Sequence, residues 1–194
     1  QIVGSLLTPF IVRRIKPISA IGASLVFAAI GFGILTQIGG SYDLWLIVAG
    51  SVIFSFGLIQ VITLAADLIV GTVPPERAGV ASGLSETSSE FGGALGIALL
   101  GSSATALYRG EIESTLPGGV PQHVAEVAKD TLGGALLMAG QLPDGVGKAL
   151  IGVARAAFTD AAVLAFTLCT IIALATGIAA IVTLHQRKEH ASQN

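Results

Sequence analysis

Residues 44–66 read LWLIVAGSVIFSFGLIQVITLAA, without a single Asp, Glu, Lys or Arg. As an α-helix this run reaches about 35 Å at 1.5 Å per residue, and a bilayer has a hydrocarbon core of about 30 Å. Working outward, residues 17–42, 91–108 and 161–186 are also free of charge. The whole chain is 53% hydrophobic and only 11% charged, against roughly 25% charged in a soluble domain. Its mean hydropathy is +0.83. These values point to an all-α, polytopic membrane helical bundle. Complete transmembrane helices are expected at 18–38, 44–70, 79–108 and 157–184. Gln1 opens an apolar stretch with no charged n-region and no small-residue cleavage pattern, so no signal peptide is read. Residues 1–12 are expected to be the end of a truncated transmembrane helix.

Lys and Arg near the helix ends set the expected orientation. Arg13, Arg14 and Lys16 follow the first apolar stretch, Arg77 lies between the spans at 44–70 and 79–108, and Arg187 and Lys188 follow the last. With alternating crossings all three groups fall on one side, expected to be cytoplasmic. That makes 13–17 and 71–78 cytoplasmic turns and 185–194 a cytoplasmic tail, in a multi-pass protein of the plasma (inner) membrane. The opposite connection, GGSYD, has no basic residue. Tyr42, Trp45 and Tyr108 suit the aromatic belt there. Residues 109–156 then form an outer loop, read as a helical hairpin on or near the membrane surface. In its first helix Val124, Val127, Ala128, Ala135 and Met138 share a face. Its second helix, over LPDGVGKALIGVARAAF, runs toward the last span. It is either a connector or a lid.

The stretch GLSETSSEFGG, residues 83–93, puts Glu86 and Glu90 one turn apart inside a span. Glu86 lies roughly 13 Å along the helix from Arg77 and Glu90 about 6 Å deeper. A carboxylate at such depth costs about 2.5–3.5 kcal/mol on insertion scales. At 100° per residue, Gly79, Ser82, Glu86, Glu90, Gly93 and Ile97 form one stripe, and Leu84, Phe91, Leu95 and Leu99 lie opposite. The acids therefore face a bundle interior or a cavity, and lipid meets Leu and Phe. Two carboxyls so close in a low dielectric can hold one proton between them and titrate as a unit. Deprotonated, the pair attracts a cation. This is the least machinery that can exchange a proton for a cationic solute. The plainer reading places Glu86 near the interface, paired with Arg77 or another loop cation as a structural anchor.

Other polar residues in the spans are open to two readings each. Ser82, Ser85, Ser88 and Ser89 bond back to their own helix, or Ser82 and Ser89 line a pathway. Asp67 pairs with Arg77 or with the basic cluster at 13–16, as a structural or a gating bridge. Gln60 bonds across helices or lines a pathway. Asp160 caps or pairs with Arg155. No His or Cys lies near the acids in sequence, so no metal site is read. Cys169 reads as a small buried hydrophobe. No phosphate-binding loop is present, so no nucleotide or other cofactor is expected, and no catalytic residue. A net charge of −2 offers no basic surface for nucleic acid.

The stretch VPPERAGVASGLSETSSEFGGALGIALLGS, residues 73–102, resembles the opening of the penultimate helix in fourteen-helix drug:proton antiporters of the major facilitator superfamily. AKDTLGGALLMAGQL and ARAAFTDAAVLAF look like that family's extended outer loop and last helix, and PFIVRRIKP like its basic turn between earlier helices. The resemblance covers essentially the whole chain. It implies two six-helix bundles plus two extra helices, of which this chain supplies the last four and part of a fifth. It also implies export of lipophilic, often cationic drugs, driven by protons, with acids matching Glu86 and Glu90 handling proton and substrate. Some exporters of cationic drugs carry a further acid where this chain has Ser85. The expected partners are small-molecule substrate, protons, the lipid bilayer and the N-terminal helices of the same transporter. The alternatives are a transporter of another small solute, such as an amino acid or metabolite, and a non-transporting four-helix membrane subunit.

Overall fold

The computed structural model describes residues 17–39 and 43–191, with side chains over 19–39 and 44–183. The expectations for 1–12, for the basic cluster Arg13, Arg14 and Lys16, for Tyr42 and for the Arg187 and Lys188 side chains lie outside the described residues. The described part is an all-α membrane helical bundle. Its helices are α1 (Pro17–Leu35), α2 (Asp43–Gly71), α3 (Ala78–Thr115), α4 (Gln122–Asp130), α5 (Leu132–Ala139) and α6 (Asp144–Ala191), with a 3-10 turn at Pro75–Arg77 before α3. The helical choice follows from the solvent. Apolar runs that cross lipid must satisfy every backbone group internally.

The ends follow local chemistry. Proline at 74 and 75 forces the break between α2 and α3. Leu116, extended at φ −57° and ψ 126°, ends α3 just before Pro117. α1 stops at Leu35, where Thr36 Oγ1 donates to the Gly33 carbonyl at 2.7 Å. Its 19 residues reach about 28 Å, a shorter helix than the 18–38 span expected. Within Leu44–Gly71, Pro75–Thr115 and Asp144–Thr183 the helices are long and apolar enough to cross a membrane. α3 and α6, with 38 and 48 residues, reach about 57 and 72 Å, so both extend past the hydrocarbon core.

α1 sits between α2 and α6. Glycine makes both approaches possible. A Cβ at Gly57 would lie 2.7 Å from the Ala28 nitrogen and the Ser24 carbonyl oxygen of α1. A Cβ at Gly177 of α6 would lie 3.2 Å from the Leu25 Cβ and 3.3 Å from the Gly22 carbonyl oxygen. Backbones this close gain the dispersion contacts that hold helices together where lipid removes the hydrophobic drive. Phe32 stacks on Phe54 at 4.7 Å, and Phe27 meets Phe56 edge-on at 5.8 Å.

A second core fills the far ends of α3 and α6. Tyr108 and Ile112 of α3, Val124 and Ala128 of α4, Ala135 and Ala139 of α5, and Leu150, Ala154, Ala157 and Ala161 of α6 pack together. The hairpin therefore wedges between the two helices that overshoot the membrane. Its first part is two helices, where one had been expected. Thr131 is extended (φ −154°, ψ 153°) and its Oγ1 accepts from the Gly134 nitrogen, capping α5. The break turns Val127 outward, while Val124, Ala128 and Ala135 stay buried. The segment from Asp144 runs into the last span as one helix.

Candidate functional site

Glu86 and Glu90 stand on the first half of α3 and both are exposed. That half has few neighbours. A Cβ at Gly79, Gly83, Gly92, Gly93, Gly96 or Gly101 would meet nothing within 4 Å. Leu84, Phe91, Leu95 and Leu99 are exposed on one side of the helix, and Ile97, on the stripe of the acids, is 78% exposed. Among the described residues neither acid has an ion pair or a hydrogen bond.

The direction of the acid face comes from the other end of α3. Steps of seven residues, two helical turns, lead from Glu90 through Ile97 to Ala104. Steps of four lead on to Tyr108 and Ile112, which are buried in the core shared with α6. The stripe that carries the acids is thus the stripe that closes on α6 at the hairpin end. Toward Glu86 the same stripe has no partner among the described residues. An acid pair on an apolar helix, on the face the helix uses for association, is placed to face other protein or an enclosed aqueous space.

Three relatives match over most of this chain. The multidrug efflux pump LfrA of Mycolicibacterium smegmatis is 33% identical over 171 residues, 86% of this chain and 34% of the relative. The tetracenomycin C resistance and export protein of Streptomyces glaucescens is 29% identical over 194 residues, 97% of this chain and 35% of the relative. The methyl viologen resistance protein SmvA of Salmonella typhimurium is 25% identical over 134 residues, 69% of this chain and 27% of the relative. Over most of its own length the chain is similar to multidrug efflux and resistance proteins of the major facilitator type. It spans about a third of the length of these relatives. No family model matches it, and no solved structure matches it significantly.

The structure does not bring the other polar residues of the spans to the acids. Gln60 is 2% exposed, enclosed about one turn from the place where Gly57 meets α1. It lies buried in a helix–helix interface. Asp67 is exposed near the end of α2 and makes no ion pair with Arg77 or any other described residue. Pairing of Asp67 with the cluster at 13–16 lies outside the described residues. Ser82 and Ser89 are exposed beside the acids. None of Ser82, Ser85, Ser88 and Ser89 bonds back to the helix, and Thr87 does so instead, donating to the Gly83 carbonyl at 2.8 Å.

Three sequence readings are corrected. Glu86 forms no pair with Arg77 among the described residues. Asp160 neither caps a helix nor pairs with Arg155, because α6 is continuous there and a spacing of five turns the two side chains about 140° apart. Tyr108, assigned from sequence to the aromatic belt, is buried and donates its hydroxyl to the Ala128 carbonyl at 2.9 Å. The signal that could have found it is the seven- and four-residue stepping from Glu90. Among the described residues no group of three or more His, Cys, Asp or Glu could hold a metal ion.

Proposed function

We infer that the chain is the C-terminal part of a proton-coupled exporter of lipophilic, cationic drugs or similar small molecules, in the plasma membrane. Glu86 and Glu90 are its proton and cation site. The observation that carries this reading is the pair of carboxylates, unpaired among the described residues, on an apolar helix and on the stripe that closes onto α6. Protonated, the pair rests in low dielectric at little cost. Deprotonated, it needs a counter-charge, and a cationic solute supplies one. Proton and solute then compete for one place, which is the coupling an antiporter needs. The names of the relatives, efflux and resistance proteins, support export as the direction.

In this reading the helices that cover the open half of α3 belong to the N-terminal bundles of the same transporter. The hairpin is outside and the C-terminus is cytoplasmic, in keeping with Arg77, Arg187 and Lys188 on one side. Ser82 and Ser89 lie along the path, and Asp67 is a gating residue near its cytoplasmic end. The protein does no covalent chemistry on what it carries.

The test is Glu90→Gln in the complete transporter, with the N-terminal helices present, assayed in energised inverted vesicles. Proton-driven movement of a cationic dye should fall to the level of vesicles without the protein, with insertion and gel-filtration behaviour unchanged. Dye movement at the original rate would refute the role of Glu90.

A further inference from the structure

A cavity of about 320 Å³ opens where α3, the joint of the hairpin and α6 meet. Ala104, Thr105 and Tyr108 line it from α3, Asp130 and Leu132 from the joint, and Phe158 from α6. It exists for two sequence reasons. Small residues face each other, with Ala161 and Ala162 of α6 opposite Ala104. The extended Thr131 also breaks the hairpin, so no helix turn fills the gap.

Its level is set by charge. The charge-free run of α3 ends at Tyr108, followed by Arg109, and that of α6 begins at Ala161, preceded by Asp160. The cavity therefore straddles the border between apolar span and polar hairpin. Its lining is mostly apolar. Asp130, at its polar end, is held by Arg109 at 2.6 Å, in a pair of which both members are more than half exposed.

We propose that this cavity holds one acyl chain of a bilayer phospholipid, with the lipid phosphate on Arg109. Three observations choose this occupant. The carboxylate at the rim already has its counter-charge, so a cation would have to displace an arginine. Arg109 gives Asp130 one of five N–H donors, leaving donors in a fork that matches phosphate oxygens. The volume is at the low end of the roughly 300–1,000 Å³ of pockets that enclose drug-sized ligands, while a lipid tail needs only a slot with one end open to the bilayer. The site is separate from the acids, about 21 Å along α3 from Glu90 to Ala104.

The experiment is native mass spectrometry of the delipidated protein in mild detergent, titrated with palmitoyl-oleoyl phosphatidylglycerol. One lipid should bind more tightly than the rest. Thr105→Leu with Ala162→Leu fills the slot from its exposed and half-buried walls and should weaken that lipid roughly tenfold. Arg109→Gln keeps the slot open and should weaken it about threefold while leaving a diacylglycerol of the same tails unchanged. Unchanged hydrogen exchange over residues 122–139 shows that the hairpin stays docked in each variant. The proposal is overturned if the filled, docked variant binds the lipid as before. It is also overturned if tetraphenylphosphonium displaces the lipid and Arg109→Gln tightens that cation.

Discussion

Glu90 and Tyr108 lie on one stripe of α3 and meet opposite surroundings. Tyr108 is 5% exposed and donates to the Ala128 carbonyl. Ala128 is in the last turn of α4, where backbone carbonyls have no partner within the helix. The phenol thus closes the end of α4 and locks the hairpin to α3. Tyr108→Phe keeps the ring and leaves that carbonyl unmatched, which should cost about 1–3 kcal/mol. Amide exchange over residues 122–130 should then speed up by roughly fivefold or more. Unchanged exchange would mean the ring, and not the hydroxyl, holds the hairpin. Sequence reading singles out the two acids because charge in an apolar run is conspicuous by itself. It misplaced Tyr108 because an aromatic at the end of a span fits a membrane belt equally well, and its partner lies twenty residues on. The serines went the same way. Four hydroxyls were each open to a bond with their own helix, yet Thr87 is the residue of that stretch that makes one.

At the scale of elements, helices were legible and their faces were not. A run such as 44–66 must be helical in lipid, whatever its neighbours. A helix apolar on all sides, however, gives no amphipathic stripe to say which face packs. Glycine position then decides, and only the structure separates the glycines that touch from those that do not. Gly57 touches α1 backbone, so Gly57→Val should force α1 and α2 apart. A cost of about 2 kcal/mol or more is expected, as for other overpacked contacts, and it should appear as a lowered melting temperature in detergent. Gly152, in the part of α6 beside the hairpin, has nothing near its Cβ position and is exposed. Gly152→Ala should therefore stabilise α6 by about 0.5–1 kcal/mol, because alanine restricts the unfolded chain and favours helix. If Gly57→Val leaves the melt unchanged or raises it, close approach at Gly57 is not what joins α1 to α2. The break at Thr131 was hidden for a related reason. The spacing of Val124, Val127, Ala128 and Ala135 fits one long helix, and the capping hydroxyl of Thr131 is a local bond that periodicity does not register.

At the scale of the molecule, the two cores leave an asymmetric object. The hairpin end is closed by α3, α4, α5 and α6 around Ile112 and Leu150, both fully buried. At the other end α1, α2 and α6 stay together and α3 stands apart, its acids and its glycines uncovered among the described residues. Alternating access needs a site that can be sealed from each side in turn, by one bundle rocking against another. One open wall carrying two carboxylates cannot seal anything. In the role proposed for the acids, such a wall cannot make proton and cation wait for each other, so it cannot couple them. The 194-residue chain reconstituted alone into liposomes should therefore show no dye movement in response to an imposed proton gradient. Dye movement above that of empty liposomes, lost in Glu90→Gln, would mean that the chain encloses a path by itself, through an assembly of copies. Dye movement that persists in Glu90→Gln would mean leakage, and the coupling assigned to the acid pair would then have to be sought elsewhere.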